Sequence, residues 1–416
     1  MNEFVDSSSD AIAGLPQSGA KRTLLKTAIL ALSLILCSVS VTMSVVSSLK
    51  QDYPHASTMQ LQGFVNIPVI GGIVATLVGG YLAARVGKKN ICLAGTLLCF
   101  LGGFLPMFIP DLTLKTAVRV LCGFGVGLIQ PLAASLIVDC FKGHEADTMM
   151  GVQSAMVGLG AAIFSSAIAG IMTVNWHYFY YVYFIALVVA ILVWLFIPNS
   201  VNEIGRIHKG SKDTSQPKRK MPLSAYFGMI LQIVFATAYG YYSVNLSLAA
   251  EETKTITAVQ AATVITVVSV SSFLGGLVFG YAKRFLGMHI GIVAIAMQAV
   301  AFVLWANTGS LALWYVAAVL LGLGFCWFMP YVNFLVNEHT DATLSAQATS
   351  YAFFGNNIGA FLPSYVFAGI GAITGITSTQ KSFNEAAILM VVCIIMIVVF
   401  NMADRKNETK EVQAAK

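Results

Sequence analysis

Two stretches of this chain, two hundred residues apart, carry one pattern. Residues 80–87 read GYLAARVG and residues 280–287 read GYAKRFLG. LCGFGVGLIQP at 121–131 returns as LLGLGFCWFMP at 320–330, which matches Pro131 to Pro330 at an offset of 199. Asp139 and Glu338 stand at the same offset, as do Gly160 and Gly359. A constant shift across several apolar segments predicts two halves with one architecture. In a membrane protein, related halves place a solute site at the interface between them.

The membrane assignment follows from the balance of residue types. Hydrophobic residues make up 57% of the 416 and charged residues 10%, against about 25% charged in an ordinary soluble domain. Twelve apolar stretches are long enough to span: about 26–49, 58–84, 91–110, 116–139, 149–172, 178–198, 223–249, 257–282, 287–306, 312–336, 347–371 and 384–402. Each approaches the roughly 20 residues that a helix needs to cross the hydrocarbon core. The expected fold class is an all-α membrane protein, with twelve transmembrane helices in two pseudo-symmetric six-helix bundles.

The basic residues set the orientation. With both termini cytoplasmic, 19 of the 24 fall inside and four outside (Lys50, Lys115, Lys254, Lys381), and Arg119 lies within a span. The net charge of +6 is then a topological bias. No basic cluster is interleaved with aromatics, so no nucleic-acid partner is expected. The seven cysteines lie within or at the ends of apolar segments, without C-x-x-C, and argue for no disulfide framework and no metal site. The division expected is a disordered N-terminus at 1–23, a bundle at 24–198, a cytoplasmic linker at 199–222, a second bundle at 223–402 and a charged tail at 403–416. The acidic start and the eleven later spans argue against a cleaved signal peptide.

Two tempting motifs fail. G-x-G-x-G at 123–127 has no strand before it and sits inside a span, and Gly87-Lys88 lacks the first glycine of a phosphate loop. No nucleotide, metal or other cofactor is expected.

The loop after the second span reads GYLAARVGKK at 80–89. It resembles the signature loop of the major facilitator superfamily, G-x-L-a-D-R-x-G-R-K. Gly80, Leu82, Arg85, Gly87, Lys88 and Lys89 fit it, while Ala84 stands where the usual acid would be. R119-V-L-C-G-F-G is similar to the superfamily's R-x-x-x-G-x-G pattern. Residues 139–151, DCFKGHEADTMMG, resemble its D-x-F-P-x-x-x-R-G-x-x-x-G loop, with Ala146 in place of the arginine. The fifth span has Gly158 and Gly160 but lacks the Gly-Pro pair of the drug-antiporter branch. The resemblance implies a secondary transporter in the cytoplasmic membrane, in contact with lipid and working as a monomer.

The gate is expected at the cytoplasmic turns. Glycines there let helices approach closely, and cations tie one helix end to acids on another. With Ala84 uncharged, Arg85 is expected beside Asp139 and Arg284 beside Glu338. The alternative is that these charges sit among headgroups.

The cavity is read from polar stripes. Ser33, Cys37, Ser40, Ser44 and Ser47 recur at 4-3-4-3 spacing on one face of the first span. The seventh span, shifted by 199, gives Gln232, Ala236, Tyr239, Ser243 and Leu246. Small-residue helix packing is the plain alternative for such a stripe. Arg119 is the sharpest residue, because a guanidinium in lipid costs several kcal/mol or more. It is expected to face inward on one side of its helix with Gln130, unless it snorkels to the surface. Gln62 and Asn66, Gln153, Trp327 with Tyr331, and Asn356 with Asn357 complete the candidate set.

No Asp or Glu lies near the middle of any span. A cation exporter commonly keeps a carboxylate in its cavity. The expected activity is therefore alternating-access transport of a small organic solute, an amphipathic organic anion above others, driven by a coupling ion or a counter-solute. The rival is proton-coupled multidrug efflux. An enzyme is not expected, since all six histidines lie in loops or at span ends.

Overall fold

The computed structural model describes residues 19–36, 49, 52–56, 58–172, 175–202, 221–253, 256, 258–338, 340, 344–376 and 378–414. It is helical throughout these residues, with no strand among them. In chain order the helices are α1 (Gly19–Ile35), α2 (Thr58–Val86), α3 (Lys88–Phe104), α4 (Leu112–Cys140), α5 (Gly143–Met172) and α6 (Phe184–Phe196). There follow α7 (Leu223–Thr253), α8 (Ala258–Leu286), α9 (Ile290–Asn307), α10 (Leu311–Asn337), α11 (Ser345–Phe361), α12 (Pro363–Thr374) and α13 (Phe383–Ala414). A 3-10 segment, Trp176–Tyr183, leads into α6. Among the described residues eight helical stretches are long and apolar enough to cross a membrane, and nine if the bent pair α11 and α12 is one span. Each of the twelve apolar stretches of the sequence contains at least part of one of these helices.

The repeat reappears as matched helix crossings. A Cβ on Gly125 of α4 would meet Gly95 O of α3 at 2.4 Å, and one on Gly324 of α10 would meet Ala294 O of α9 at 2.4 Å. Gly160 against Leu34 O (α5 on α1) is matched in the same way by Gly359 against Ile233 O (α11 on α7). In each pair of crossings both residues of one stand 199 positions from their equivalents in the other. Backbones this close leave room for hydrogen only, which is how small residues join helices that lack a hydrophobic drive to associate in lipid. The fold is two pseudo-symmetric six-helix bundles.

The face that carries the 86–88, 140–143 and 286–290 turns, with the linker, is called the linker face below. Three boundaries differ from expectation. α1 begins at Gly19, inside the segment read as disordered. Arg22 pairs with Glu145 at the start of α5, and Lys26 Nζ reaches the same carboxylate at 2.8 Å. Residues 199–202, read as linker, form a 3-10 turn pinned to α3, where Lys89 Nζ donates to Asn199 Oδ1 at 2.9 Å and Asn90 N to Asn202 Oδ1 at 3.3 Å. Residues 203–220 lie outside the described residues. α13 runs on through the charged tail to Ala414, where Ala, Glu and Lys keep helical propensity high.

The Glu145 cluster gives a pH prediction. Hydrogen bonding from Arg22, helped by Lys26, holds the Glu145 carboxyl down at about 2, against its usual 4.5. A depressed carboxyl contributes stability that is full above its unfolded value and lost as pH falls through the folded one. The start of α1 is thus expected to loosen between about pH 4.5 and 2. Glu145→Gln should show the same loosening at neutral pH. Hydrogen exchange at residues 19–26 reads both, and unchanged protection in the variant would rule the tether out.

Candidate functional site

The linker face holds a buried ion pair, with partners other than those expected. Gly87 has φ 99, a conformation that glycine adopts without a Cβ penalty. This turn starts α3 one residue later and points Lys88 into the bundle. Lys88 Nζ pairs with Asp139, both side chains nearly sealed, and donates to Ser135 Oγ at 2.8 Å. Arg85 instead lies exposed, its guanidinium carbon 4.3 Å from the Tyr81 ring. Arg284 and Glu338 are also exposed. In that half Lys283 is the cation used, at 2.5 Å from Asp147 Oδ1 of α5. The Arg85–Asp139 and Arg284–Glu338 pairs are therefore corrected: at each turn a lysine, Lys88 or Lys283, makes the ion pair and the arginine lies exposed.

Between the bundles, the crossings on this side come in a symmetric pair. A Cβ on Gly80 of α2 would lie 2.2 Å from Ser350 Oγ and 2.8 Å from Ala346 O of α11. A Cβ on Gly276 of α8 would lie 2.6 Å from Gly151 O of α5, and one on Gly280 would lie 2.9 Å from Thr148 Oγ1. Ser135 Oγ and Ser345 Oγ, 3.3 Å apart, join the Lys88–Asp139 pair to α11. The linker face is closed.

Further into the helices, Asn357 Nδ2 donates to Thr76 Oγ1 at 3.1 Å and to Gln130 Oε1 at 3.2 Å, tying α11 to α2 and α4. Asn356 Nδ2 donates to Gln232 Oε1 at 3.4 Å, and Gln232 Nε2 to Met329 Sδ at 3.5 Å. Beside them Tyr239 stacks on Phe325 with centroids 4.5 Å apart. Neutral bonds of this kind contribute only about 0.5–1.5 kcal/mol each. They specify a closed arrangement without making it permanent.

Arg119 is fully enclosed, so it does not snorkel. Its Nη2 donates to Tyr183 Oη at 3.2 Å, and Phe64 of α2 lies with its ring centroid 4.5 Å from the guanidinium carbon. These contacts place it inside the first bundle, whereas Gln130 reaches the second. The shared face expected for the two is not used as one site, because Gln130 finds its partner on α11. Lys115, counted from sequence as an outer-loop charge, is 4% exposed, over the rings of Tyr53 and Tyr180.

The other candidates scatter. Tyr331 is buried within the second bundle, where a Cβ on Gly291 would meet its ring at 2.5 Å, so it packs on α9 and does not line the cleft. Trp327 Nε1 donates to Gly275 O of α8 at 3.0 Å. Gln153 is buried in α5 and Ser243 is exposed. Ser40 and Ser44 lie outside the described residues, as do the side chains of Gln62 and Asn66. Sequence reasoning passed over Thr76, Ser135, Asp147, Lys283 and Tyr183. Ser135 carried a signal, since it precedes Asp139 by one helical turn.

The family model described as Major Facilitator Superfamily matches residues 28–364. The arabinose-proton symporter of Escherichia coli (strain K12) is 28% identical over 174 residues, covering 39% of this chain and 37% of that protein. The bacillibactin exporter of Bacillus subtilis (strain 168) is 26% identical over 128 residues, covering 30% and 32%. The chain thus matches less than two fifths of the length of these relatives. Among solved structures, the proton:xylose symporter XylE superposes with TM-score 0.75 at 15% identity, over 91% of this chain and 95% of that one. The human organic anion transporter MFSD10 gives 0.73 at 12% identity, over 91% and 100%. At such identities the likeness is one of fold.

Proposed function

Because the chain belongs to the Major Facilitator Superfamily, we propose that it is a secondary active transporter that carries a small organic solute between its two bundles by alternating access. The observation that carries this is the symmetric pair of linker-face crossings, α2 on α11 and α5 on α8, beneath the amide cluster of Gln130, Asn357, Asn356 and Gln232. With the linker face cytoplasmic, as the basic residues suggest, this conformer is closed to the cytoplasm. The bundles rock about the amide cluster, and a coupling ion or counter-solute drives the cycle.

The solute class we favour is an amphipathic organic anion. Its support is the sequence, which puts Arg119 in a span and no carboxylate near the middle of any span. A cationic drug would gain from such a carboxylate. A second reading, a neutral polar solute, has a specific observation behind it. Arg119 is enclosed in one bundle in this conformer, and the groups that join the bundles at the Asn357 cluster are amides and a hydroxyl.

Arg119 separates the two. If it serves an anion or the coupling step, Arg119→Ala should stay folded and lose uptake. Arg119→Lys should recover only part, because an ammonium lacks the planar two-pronged contact. Proteoliposome uptake of labelled naphthalene-2-sulfonate, which stays charged and leaks poorly through bilayers, is measured beside a melting curve. Near-normal sulfonate uptake by folded Arg119→Ala would remove Arg119 from the transport site, and no sulfonate uptake by the wild type would end the anion reading.

A further inference from the structure

The 3-10 segment Trp176–Tyr183 spans eight residues, where runs beyond three or four are uncommon. Register gives it a purpose. Three residues of 3-10 helix rise about 6 Å, as do four residues of α-helix. Side chains at i and i+3 on the first can therefore meet side chains at i and i+4 on the second. Tyr180 and Tyr183 form one column, and Lys115 and Arg119 of α4 form the other. Both rungs are present: Lys115 Nζ lies 5.7 Å from the Tyr180 ring centroid, and Arg119 Nη2 lies 3.2 Å from Tyr183 Oη. At the outer end His177, three residues before Tyr180, meets Asp52 at 3.0 Å. An α-helical turn would swing Tyr180 and Tyr183 about 60° apart and break the match.

Tyr183 is itself seated by a glycine. A Cβ on Gly103 of α3 would lie 2.1 Å from Tyr183 Cδ1, so any larger residue there would push the ring off its place. Phe64 and Phe179 lie against other sides of the guanidinium, at 4.5 and 5.9 Å from its carbon. A guanidinium is planar with five donors in fixed directions, so whatever fixes its plane fixes where every donor aims.

We propose that Tyr183, held in place by Gly103, is the positioning residue that sets the plane of the Arg119 guanidinium for transport. This rests on the transporter reading above. Tyr183 acts through Arg119 and needs no contact with the solute.

Tyr183→Phe keeps the ring and removes only the hydroxyl. Two readouts on the full chain test it. The first is NMR of isotope-labelled arginine side chains in purified protein, with the Arg119 signals assigned by their loss in Arg119→Lys. A guanidinium held in one plane gives resolved Nη signals; in Tyr183→Phe they should merge while the melting temperature holds. The second is naphthalene-2-sulfonate uptake. Tyr183→Phe should lower its rate roughly tenfold, as expected for losing a hydrogen bond to a charged group, and Arg119→Lys with Tyr183→Phe should be no slower than Arg119→Lys alone, since an ammonium has no plane to set. Resolved Arg119 signals in Tyr183→Phe would overturn the proposal. So would unchanged uptake, or losses that multiply in the double variant. If the wild-type protein moves no sulfonate, the anion reading fails by itself and the NMR readout still decides the positioning.

Discussion

Asp139→Asn is expected to lower the melting temperature sharply and to open the linker face. The carboxylate is 4% exposed and its partner Lys88 2%. Removing one member of a buried pair leaves the other charged and unpaired, at a cost of about 3–5 kcal/mol. The loss also reaches the interface, because Lys88 donates to Ser135, and Ser135 meets Ser345 across the bundles. Spin labels on the linker-face ends of α2 and α11 should report a longer distance in the variant. The double variant Lys88→Met with Asp139→Leu should recover most of the stability, since a buried pair and an apolar pair of similar volume are nearly equivalent. It should not restore the closed population. Recovery of both would make the pair a packing element only, and an unchanged melt in Asp139→Asn would remove it from the account.

Gly151→Val should stop transport while leaving each bundle folded. A Cβ at 151 would stand 2.3 Å from Gly276 O of α8. The obstacle is backbone, so no rotamer change relieves it. Overpacking of this kind costs about 1–3 kcal/mol, which shifts the closed population roughly 5- to 150-fold. The contact joins the bundles, so the cost falls on the closed state and leaves the packing inside each bundle alone. Uptake and the α5–α8 label distance should change together with little change in melting temperature. A large drop in melting temperature with normal uptake per folded molecule would contradict this.

The sequence made the fold legible where a rule acts over many residues. The 199-residue offset gave the halves, and the same offset relates the crossings at Gly125 and Gly324 and at Gly160 and Gly359. It also marked Gln130, Asn356, Asn357 and Gln232, large amides that apolar spans would otherwise exclude. It did not show which cation turns inward. Arg85 and Lys88 are three residues apart, and the turn at Gly87 decides between them. Lys115 looked like a loop charge because its burial depends on rings from Tyr53 and Tyr180, both distant in sequence. The break between α11 and α12 had a local signal, since Pro363 has no N–H with which to continue α11. The 3-10 form of residues 176–183 had no such signal, and the Lys115 and Arg119 it meets on α4 are distant in sequence.

Counterflow tests most directly whether the proposed solute, a small organic anion, crosses by alternating access. Wild-type protein is reconstituted in liposomes preloaded with unlabelled naphthalene-2-sulfonate, then diluted into labelled sulfonate with no ion gradient imposed. Labelled sulfonate should accumulate transiently above its outside concentration, and Gly151→Val should abolish the overshoot. No overshoot with the sulfonate, together with clear counterflow of a neutral sugar or a cationic drug in the same liposomes, would contradict the account.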